Sequence, residues 1–475
     1  MGLEITPGLE IAVVGLIGTL LALCLLMYLA YRGITVLVLA PILALLACAL
    51  HDGVPLLASY TQIFMPALGG YLLKYFPVFM LGAIFGKIMA ESGAATAIGR
   101  WLAGLLGPRH AITAVVCACA LLTYGGVSLF VVAFAIFPIA VSLFQAADIP
   151  KRLIPGAIAL GSFTFTMTAL PGTPAIQNTI PMPYFGTDAF AAPGLGLIAS
   201  AVMLLVGLWW LQSRARRAAA AGEGYGASKG AEGLKSEPAA SLPPVWLALA
   251  PLITVVVLNY LMSRVFLDGL DASYLSEPRY GATSLEKVKG LWALIAAMAI
   301  STALLIAVMW RWLKAPRAAL NQGTLDSLLP ILNTASEVGF GKTIAALGSF
   351  ALIKEAVVGI APGSPLISEA ISVNLLAGVT GSASGGLSIA LEALGSTYVE
   401  LARQIDLAPD LLHRVATLAC GGLDTLPHNG AVVTLLAICG LTHRKSYLDI
   451  FMVAVAGPFA ATVLVVVLGG AFGSF

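Results

Sequence analysis

Gly421-Gly-Leu-Asp-Thr-Leu-Pro-His-Asn-Gly430 interrupts an otherwise apolar stretch that runs from 411 to 441. Each flank is about half of the roughly 20 apolar residues that a helix needs to cross a bilayer. The flanks therefore predict one membrane helix, broken at its centre. Free backbone N–H and C=O groups find no partners among acyl chains, so such a break faces protein or a water-filled cavity. There it can hold a polar solute. A similar break is predicted at Ala169-Leu-Pro-Gly-Thr-Pro-Ala-Ile-Gln-Asn178. Paired interruptions in corresponding places of two halves are the sequence mark of a secondary transporter's binding site.

Composition agrees with the membrane reading. The 475 residues are 59% hydrophobic and 10% charged, where soluble domains carry about 25% charged residues. The chain is therefore expected to be an all-α polytopic membrane protein. A net charge of +2 gives no footing for nucleic acid. The start carries acids and no basic region of a secretory signal, so the first apolar stretch is expected to be a true span. Cys24, Cys48, Cys117, Cys119, Cys420 and Cys439 lie in apolar segments, and no His or carboxylate stands at metal-ligand spacing beside the Cys117–Cys119 pair, which predicts lipid-facing or core thiols and no metal.

Outward from the two breaks, the chain divides into a first membrane repeat over 1–217, a flexible cytoplasmic linker over 218–243, and a second repeat over 244–475. Spans are expected at about 9–29, 34–50, 71–90 and 195–211, then at 245–262, 291–309, 325–350 and 450–469. An interfacial segment covers 94–106. Two re-entrant hairpins are expected, at 110–145 with tip Thr123-Tyr-Gly-Gly-Val-Ser128, and at 365–404 with tip Thr380-Gly-Ser-Ala-Ser-Gly-Gly386. A broken helix follows each, at 153–182 and 410–441. Basic residues Arg109, Lys151, Arg152 and Arg214 to Arg217 place the first hairpin's ends in the cytoplasm. The same counting puts the second hairpin's entry and both termini outside. Five crossings and one hairpin per half make an inverted repeat, supported by Phe85-Gly-Lys87 against Phe340-Gly-Lys342.

Four irregular segments are thus expected to meet at mid-membrane. Each helix N-terminus there offers free N–H groups and partial positive charge, which suit an anion. Candidate substrate-binding residues are Thr123, Gly125, Gly126, Ser128, Thr173, Gln177, Asn178, Thr380, Gly381, Ser382, Ser384, Thr425, His428 and Asn429. Small and hydroxylated residues also serve as packing glue between membrane helices. Ionisable residues at membrane depth are functional candidates, so Asp424, His428 and Glu392 are the proton-coupling candidates. Two roles fit Asp424 equally: proton exchange, or capping a helix that starts near Leu426. Glu392 fits a structural ion pair at least as well. Lys87 and Lys342 fit snorkelling to the interface. Gly339-Phe-Gly-Lys-Thr343 lacks the first glycine and the strand of a phosphate loop, and no soluble domain is present for ATP.

These motifs resemble the GntP family of gluconate:proton symporters, within the larger ion-transporter superfamily. The resemblance is most specific at Gly381-Ser-Ala-Ser-Gly-Gly386, Leu170-Pro-Gly-Thr-Pro-Ala-Ile-Gln-Asn178 and Leu426-Pro-His-Asn-Gly-Ala431. Where the gluconate branch carries other residues, this chain has Leu-Pro-Gly-Thr-Pro at 170–174 and Thr-Leu-Pro-His-Asn at 425–429. That pattern looks like the branch called D-3-hydroxybutyrate permeases. The resemblance implies proton-coupled uptake of a short hydroxy- or keto-monocarboxylate, without a cofactor. It also implies a homodimer in the bacterial inner membrane, working by an elevator-type slide of transport domains against a scaffold. Gluconate or another sugar acid, sodium coupling, and an anion channel remain alternatives. An intramembrane enzyme is disfavoured, because no serine lies at nucleophile spacing from Asp424 and His428.

Overall fold

The computed structural model describes residues 7–226, 242–361 and 363–475; most of the expected linker, 227–241, lies outside the described residues. All described regular structure is helical. In chain order the main helices are α1 (Pro7–Tyr31), α2 (Val36–Ala49), α3 (Leu56–Glu91), α4 (Ala94–Leu106), α5 (Ala111–Tyr124), α6 (Leu129–Ala146) and α7 (Ile154–Ser162). Three single turns follow, Phe165–Thr168, Ile176–Thr179 and Met182–Phe185, and then α8 (Pro193–Ala220). The second half holds α9 (Val245–Phe266), α10 (Leu285–Trp312), α11 (Pro316–Ala345), α12 (Phe350–Gly359), α13 (Pro365–Thr380) and α14 (Ala383–Gln404). It ends with α15 (Pro409–Cys420), α16 (Gly430–Cys439) and α17 (His443–Phe472). Among the described residues six helices are long and apolar enough to cross a membrane: α3, α6, α8, α9, α10 and α17.

Several boundaries differ from expectation. The third span starts at Leu56 rather than near 71, and α8 runs on through the first residues assigned to the linker. Arg214 to Arg217 stay helical because nothing in 214–220 breaks a helix, and Ala is the best helix former. The first broken helix does not resume as one rod. Pro174 and Pro181 cut it into single turns, since a proline ring displaces the preceding turn. The last span absorbs His443 to Lys445 into α17. The segment expected at the interface is the helix α4, with a 106° bend between it and the next helical segment, Pro108–Tyr124.

Between membrane helices there is little hydrophobic driving force, so association depends on close packing and small residues. The contacts follow the glycines. A Cβ on Gly341 would lie 2.9 Å from Ile389 Cγ2, and one on Gly386 would overlap the Ala377 backbone, so α11, α14 and α13 approach nearly backbone to backbone. Gly161 brings α7 onto Val116 and Cys119 of α5 in the same way. α3 and α11 share the longest contact in the molecule, with α2 and α10 beside them. Each hairpin lies along a broken helix, α5 on α7 and α13 on α15. The halves also interlock: α16 packs on α6, and Ile176–Thr179 packs on α14.

Polar contacts gather at opposite ends. At one end Asp449 of α17, 1% exposed, accepts hydrogen bonds from Arg214 Nε (3.0 Å) and Trp210 Nε1 (3.0 Å) and pairs with Arg152. Arg152 also holds Glu223 at 2.7 Å, and that guanidinium keeps the Glu223 carboxyl below the usual range. At the other end Arg264 pairs with Asp188 at 3.0 Å, and the Gly194 N–H donates to the Phe475 carbonyl at 2.8 Å.

Candidate functional site

Both breaks are built by one device. An asparagine sits just past each break and donates back to the carbonyl five residues earlier. Asn178 Nδ2 reaches Thr173 O at 3.1 Å, and Asn429 Nδ2 reaches Asp424 O at 2.9 Å. The same amide donates to a second carbonyl in each case, Ala189 O (3.0 Å) and Gly381 O (2.9 Å). Backbone groups freed by unwinding are thereby satisfied by side chains, as burial demands. Asn429 Oδ1 also accepts from Ala431 N (2.6 Å) and Val432 N (3.0 Å), which caps α16. The helix after the break therefore starts at Gly430 rather than near Leu426, and Asn429 rather than Asp424 caps it. A side chain committed to four bonds has little left for a substrate. Both asparagines, expected to read solute groups, have their amides engaged within the protein, Asn429 in four bonds and Asn178 in three.

The residue before each asparagine is the one left open. Gln177 Oε1 and His428 Nε2 are both buried atoms without a hydrogen-bond partner, and so are Thr123 Oγ1 at the first tip and Asp424 Oδ1 in the second break. An orphaned buried polar atom is costly unless something fills the gap.

Each tip rests on the break of its own half. At the first, Tyr124 donates to Pro171 O at 2.7 Å, and a Cβ on Gly126 (φ +95°) would lie 3.2 Å from Pro174. Gly125 is pressed against Leu252 of α9, which leaves no room for a side chain. Ser128 starts α6 without a side-chain cap bond. At the second tip Gly381, at φ +61°, ends α13 in the left-handed conformation that favours glycine. A Cβ there would stand 2.7 Å from His428 Cδ2, so glycine is also what lets the imidazole lie on the tip. Ser382 caps α14 by accepting from Gly385 N at 3.0 Å. Ser384 lies 3.5 Å from both Ser382 Oγ and Thr334 Oγ1, and Thr380 donates back to Leu376 O at 2.8 Å. The N-termini of α14 and α16 therefore stand together over His428.

Other expected site residues are taken up internally. Thr425 donates to Ala454 O at 2.9 Å, in the wide-turn segment of α17 at Met452–Ala456. Thr173 is fully buried and accepts from Ala175 N. Glu392 joins Lys342 (2.9 Å) and Tyr184 OH (2.8 Å), about 14 Å along α14 from its start at 1.5 Å per residue. The second break is thus not where Glu392 acts. Lys342 is paired rather than snorkelling, and Lys87 bonds Glu91 at 3.4 Å.

Three groups escaped the sequence reading. His413 and Arg414, both fully buried, lie in the flank read as apolar. Arg414 donates to Ala191 O (2.6 and 3.1 Å), Ala169 O (3.0 Å) and Thr168 O (3.4 Å), closing the start of the first break from the second half. His413 donates from Nε2 to Asn178 Oδ1 (3.2 Å) and accepts the Thr187 hydroxyl at Nδ1 (2.6 Å). Glu337 is the third, buried on α11 with an unpartnered oxygen. Ionisable residues inside apolar segments were the available signal. No group of His, Cys, Asp and Glu among the described residues has the geometry of a metal site.

The comparisons with known proteins agree with this architecture. A family model described as GntP family permease matches residues 12–311. An uncharacterized transporter of Bacillus subtilis (strain 168), YxjC, is 45% identical over 450 residues, covering 92% of this chain and 95% of that one. The solved structure of the Alcanivorax borkumensis YdaH transporter shares the fold at a TM-score of 0.56 with 15% identity, covering 96% of this chain and 99% of that one. By the family match over most of its length and by the Bacillus relative, the chain belongs to the GntP family, a multi-pass transporter of the bacterial inner membrane and not an enzyme.

Proposed function

We propose that the protein is a proton-coupled symporter for a small hydroxy- or keto-monocarboxylate such as 3-hydroxybutyrate. The observation that carries this reading is the meeting of two helix N-termini, α14 and α16, over a partly buried histidine whose Nε2 has no partner. Helix N-termini attract anions without a basic side chain. His428 supplies one directed polar contact, and Ser382 and Ser384 stand beside it for a substrate hydroxyl or keto oxygen. Arg414 is the buried guanidinium nearest this architecture, and its donors are spent on backbone carbonyls. A site built from helix ends fits a singly charged acid better than a dicarboxylate.

Transport by alternating access follows from the arrangement of halves. The repeats pair α3 with α11, α4 with α12, hairpin with hairpin, break with break, and α8 with α17. The crossed packing of α16 on α6 and of Ile176–Thr179 on α14 is what an inverted repeat produces. In this reading α1–α3 and α9–α11 form a scaffold, hairpins and broken helices form the moving unit, and α4 and α12 connect them. The working unit is a homodimer. Asp424, with one oxygen unpartnered beside the site, takes up a proton with the substrate.

Uptake of radiolabelled 3-hydroxybutyrate into proteoliposomes, with and without an inward proton gradient, tests the proposal. Accumulation should require the gradient and should be accelerated by unlabelled substrate on the far side. Uptake that ignores the gradient and requires sodium rejects proton coupling. Absence of trans-acceleration would point to a channel. A gluconate-only response would move the substrate to the sugar acids.

A further inference from the structure

We propose that Glu337 is a proton-carrying residue at the boundary between the α3–α11 pair and the second hairpin, and that movement of the hairpin away from it requires its protonation. The inference rests on the symporter reading and adds the group that ties proton uptake to the slide.

Glu337 is 2% exposed, and its Oε2 has no partner. The carboxyl is tucked against Gly385 in the first turn of α14, where any Cβ would collide with it. Tyr71 of α3 faces both Glu337 and Ser388 of α14. The Tyr71 hydroxyl and the Ser388 hydroxyl are themselves buried without partners. One turn earlier, Thr334 Oγ1 lies 3.5 Å from Ser384 Oγ at the hairpin tip. Three helices thus bring a carboxyl and two buried hydroxyls to one place.

The elements packed on α11 are α2, α3 and α14. α3 presents Tyr71 and, from the wide turn at its start, Phe64 against Gly339. α2 presents the Leu37 carbonyl, which Ser336 engages at 3.3 Å. Among the described contacts the next ion pair along α11 and α14 is Lys342 with Glu392, and it is already complete. A carboxylate here would be a buried charge without a counter-ion, which is strongly unfavourable, so the group is carried as the neutral acid. Only the partial positive end of α14 opposes that cost, and it belongs to the hairpin. If the hairpin slides away while Glu337 is ionised, the charge is stranded on an apolar face. With the proton on, nothing resists the slide. The hairpin leaves over the neutral acid, the uncovered carboxyl gives its proton to the far side, and the hairpin returns over the carboxylate, whose charge the N-terminus of α14 meets again before a new proton is taken from the near side; one proton crosses per cycle.

Glu369, a buried acid with both oxygens unpartnered, differs in place. It lies on α13, in the hairpin arm that Ser372 ties to Tyr398 of α14 at 2.8 Å. It stands within the hairpin, away from the face that α11 shares with α14.

The test combines infrared difference spectroscopy and transport on the full-length protein, with radiolabelled 3-hydroxybutyrate as the transport probe. The neutral-acid carbonyl band of wild type should be reduced in Glu337→Gln, and this readout does not depend on which substrate is carried. A band unchanged by the substitution overturns the proposal. In proteoliposomes Glu337→Gln should keep counterflow within about twofold of wild type and lose gradient-driven accumulation. Retained accumulation, or loss of counterflow in folded protein, overturns it. If the variant does not fold, Tyr71→Phe serves: counterflow persists and the pH midpoint of accumulation moves, and an unmoved midpoint overturns the proposal. Wild type that carries no monocarboxylate fails the symporter reading instead, while the spectroscopic arm still decides Glu337.

Discussion

The two breaks share a skeleton and differ in what surrounds it. Asn178 and Asn429 make the same backward bond over the same separation. The first break is then clamped by the opposite half: Arg414 on three carbonyls, His413 on Asn178, and Asn259 on the Gly172 carbonyl at 3.4 Å. The second is closed by its own hairpin through Gly381, and His428 is left partly exposed. One device thus serves two settings, a break clamped from the opposite half and a break covered by its own hairpin tip. In the proposed function the solute enters at the second, where the cover can leave.

The largest expected effect breaks the clamp. Arg414→Leu leaves three buried carbonyls without donors, at about 1–3 kcal/mol each, so little folded protein should survive detergent extraction, as size-exclusion chromatography would read. Folded, transporting Arg414→Leu would mean that the first break needs no clamp. Next comes His428→Ala, which should weaken substrate binding by roughly 10- to 100-fold, the worth of one hydrogen bond to a charged group, without lowering the melting temperature. Gln177→Ala at the equivalent position should change affinity far less. Equal losses in calorimetry would make the two breaks equal partners in binding.

Asn429→Ala sharpens the comparison from the other side. Removing an N-cap costs about 1 kcal/mol, and here the tie to Gly381 goes as well. Thermal stability should fall and substrate release should quicken, in a thermal-shift assay and in washout kinetics. The smallest effect concerns the Arg152–Glu223 pair, away from both breaks. Its Glu223 carboxyl is held low by Arg152, so the pair's contribution is present above the ordinary carboxylate range and is lost as pH falls through the lowered value. Glu223→Gln should reduce stability near neutral pH by less than about 1 kcal/mol, as for exposed pairs, and should flatten the acid limb of a melting-temperature profile.

Much of the fold was legible because membrane chemistry leaves few choices. Gly, Pro, Asn and His in an apolar stretch cannot face lipid, and so the breaks at 169–178 and 421–430 announced themselves. The tips were legible for the same reason, through Gly126 and Gly381. Boundaries were less so: an apolar residue reads alike in a long span and in a single turn, and the apolar pattern ran on through the cuts that Pro174 and Pro181 make. Roles were the least legible. Thr425 and Asn429 are polar residues at the right depth, yet their bonds run to Ala454, Gly381 and the chain itself. His413 and Arg414 were hidden among nine uncharged apolar or small neighbours in one helix.

By itself the sequence determined that the chain lives in a membrane, in two halves each interrupted by polar backbone, because lipid tolerates no unpaired peptide group outside such arrangements. It could not determine which interruption is clamped by the opposite half and which is covered by its own hairpin. That depended on Arg414 reaching Thr168, Ala169 and Ala191 across more than two hundred residues, and on Glu337 meeting Gly385 beneath the hairpin tip. Satisfaction of a buried polar group is a property of its neighbours in space, and only the tertiary structure chooses them.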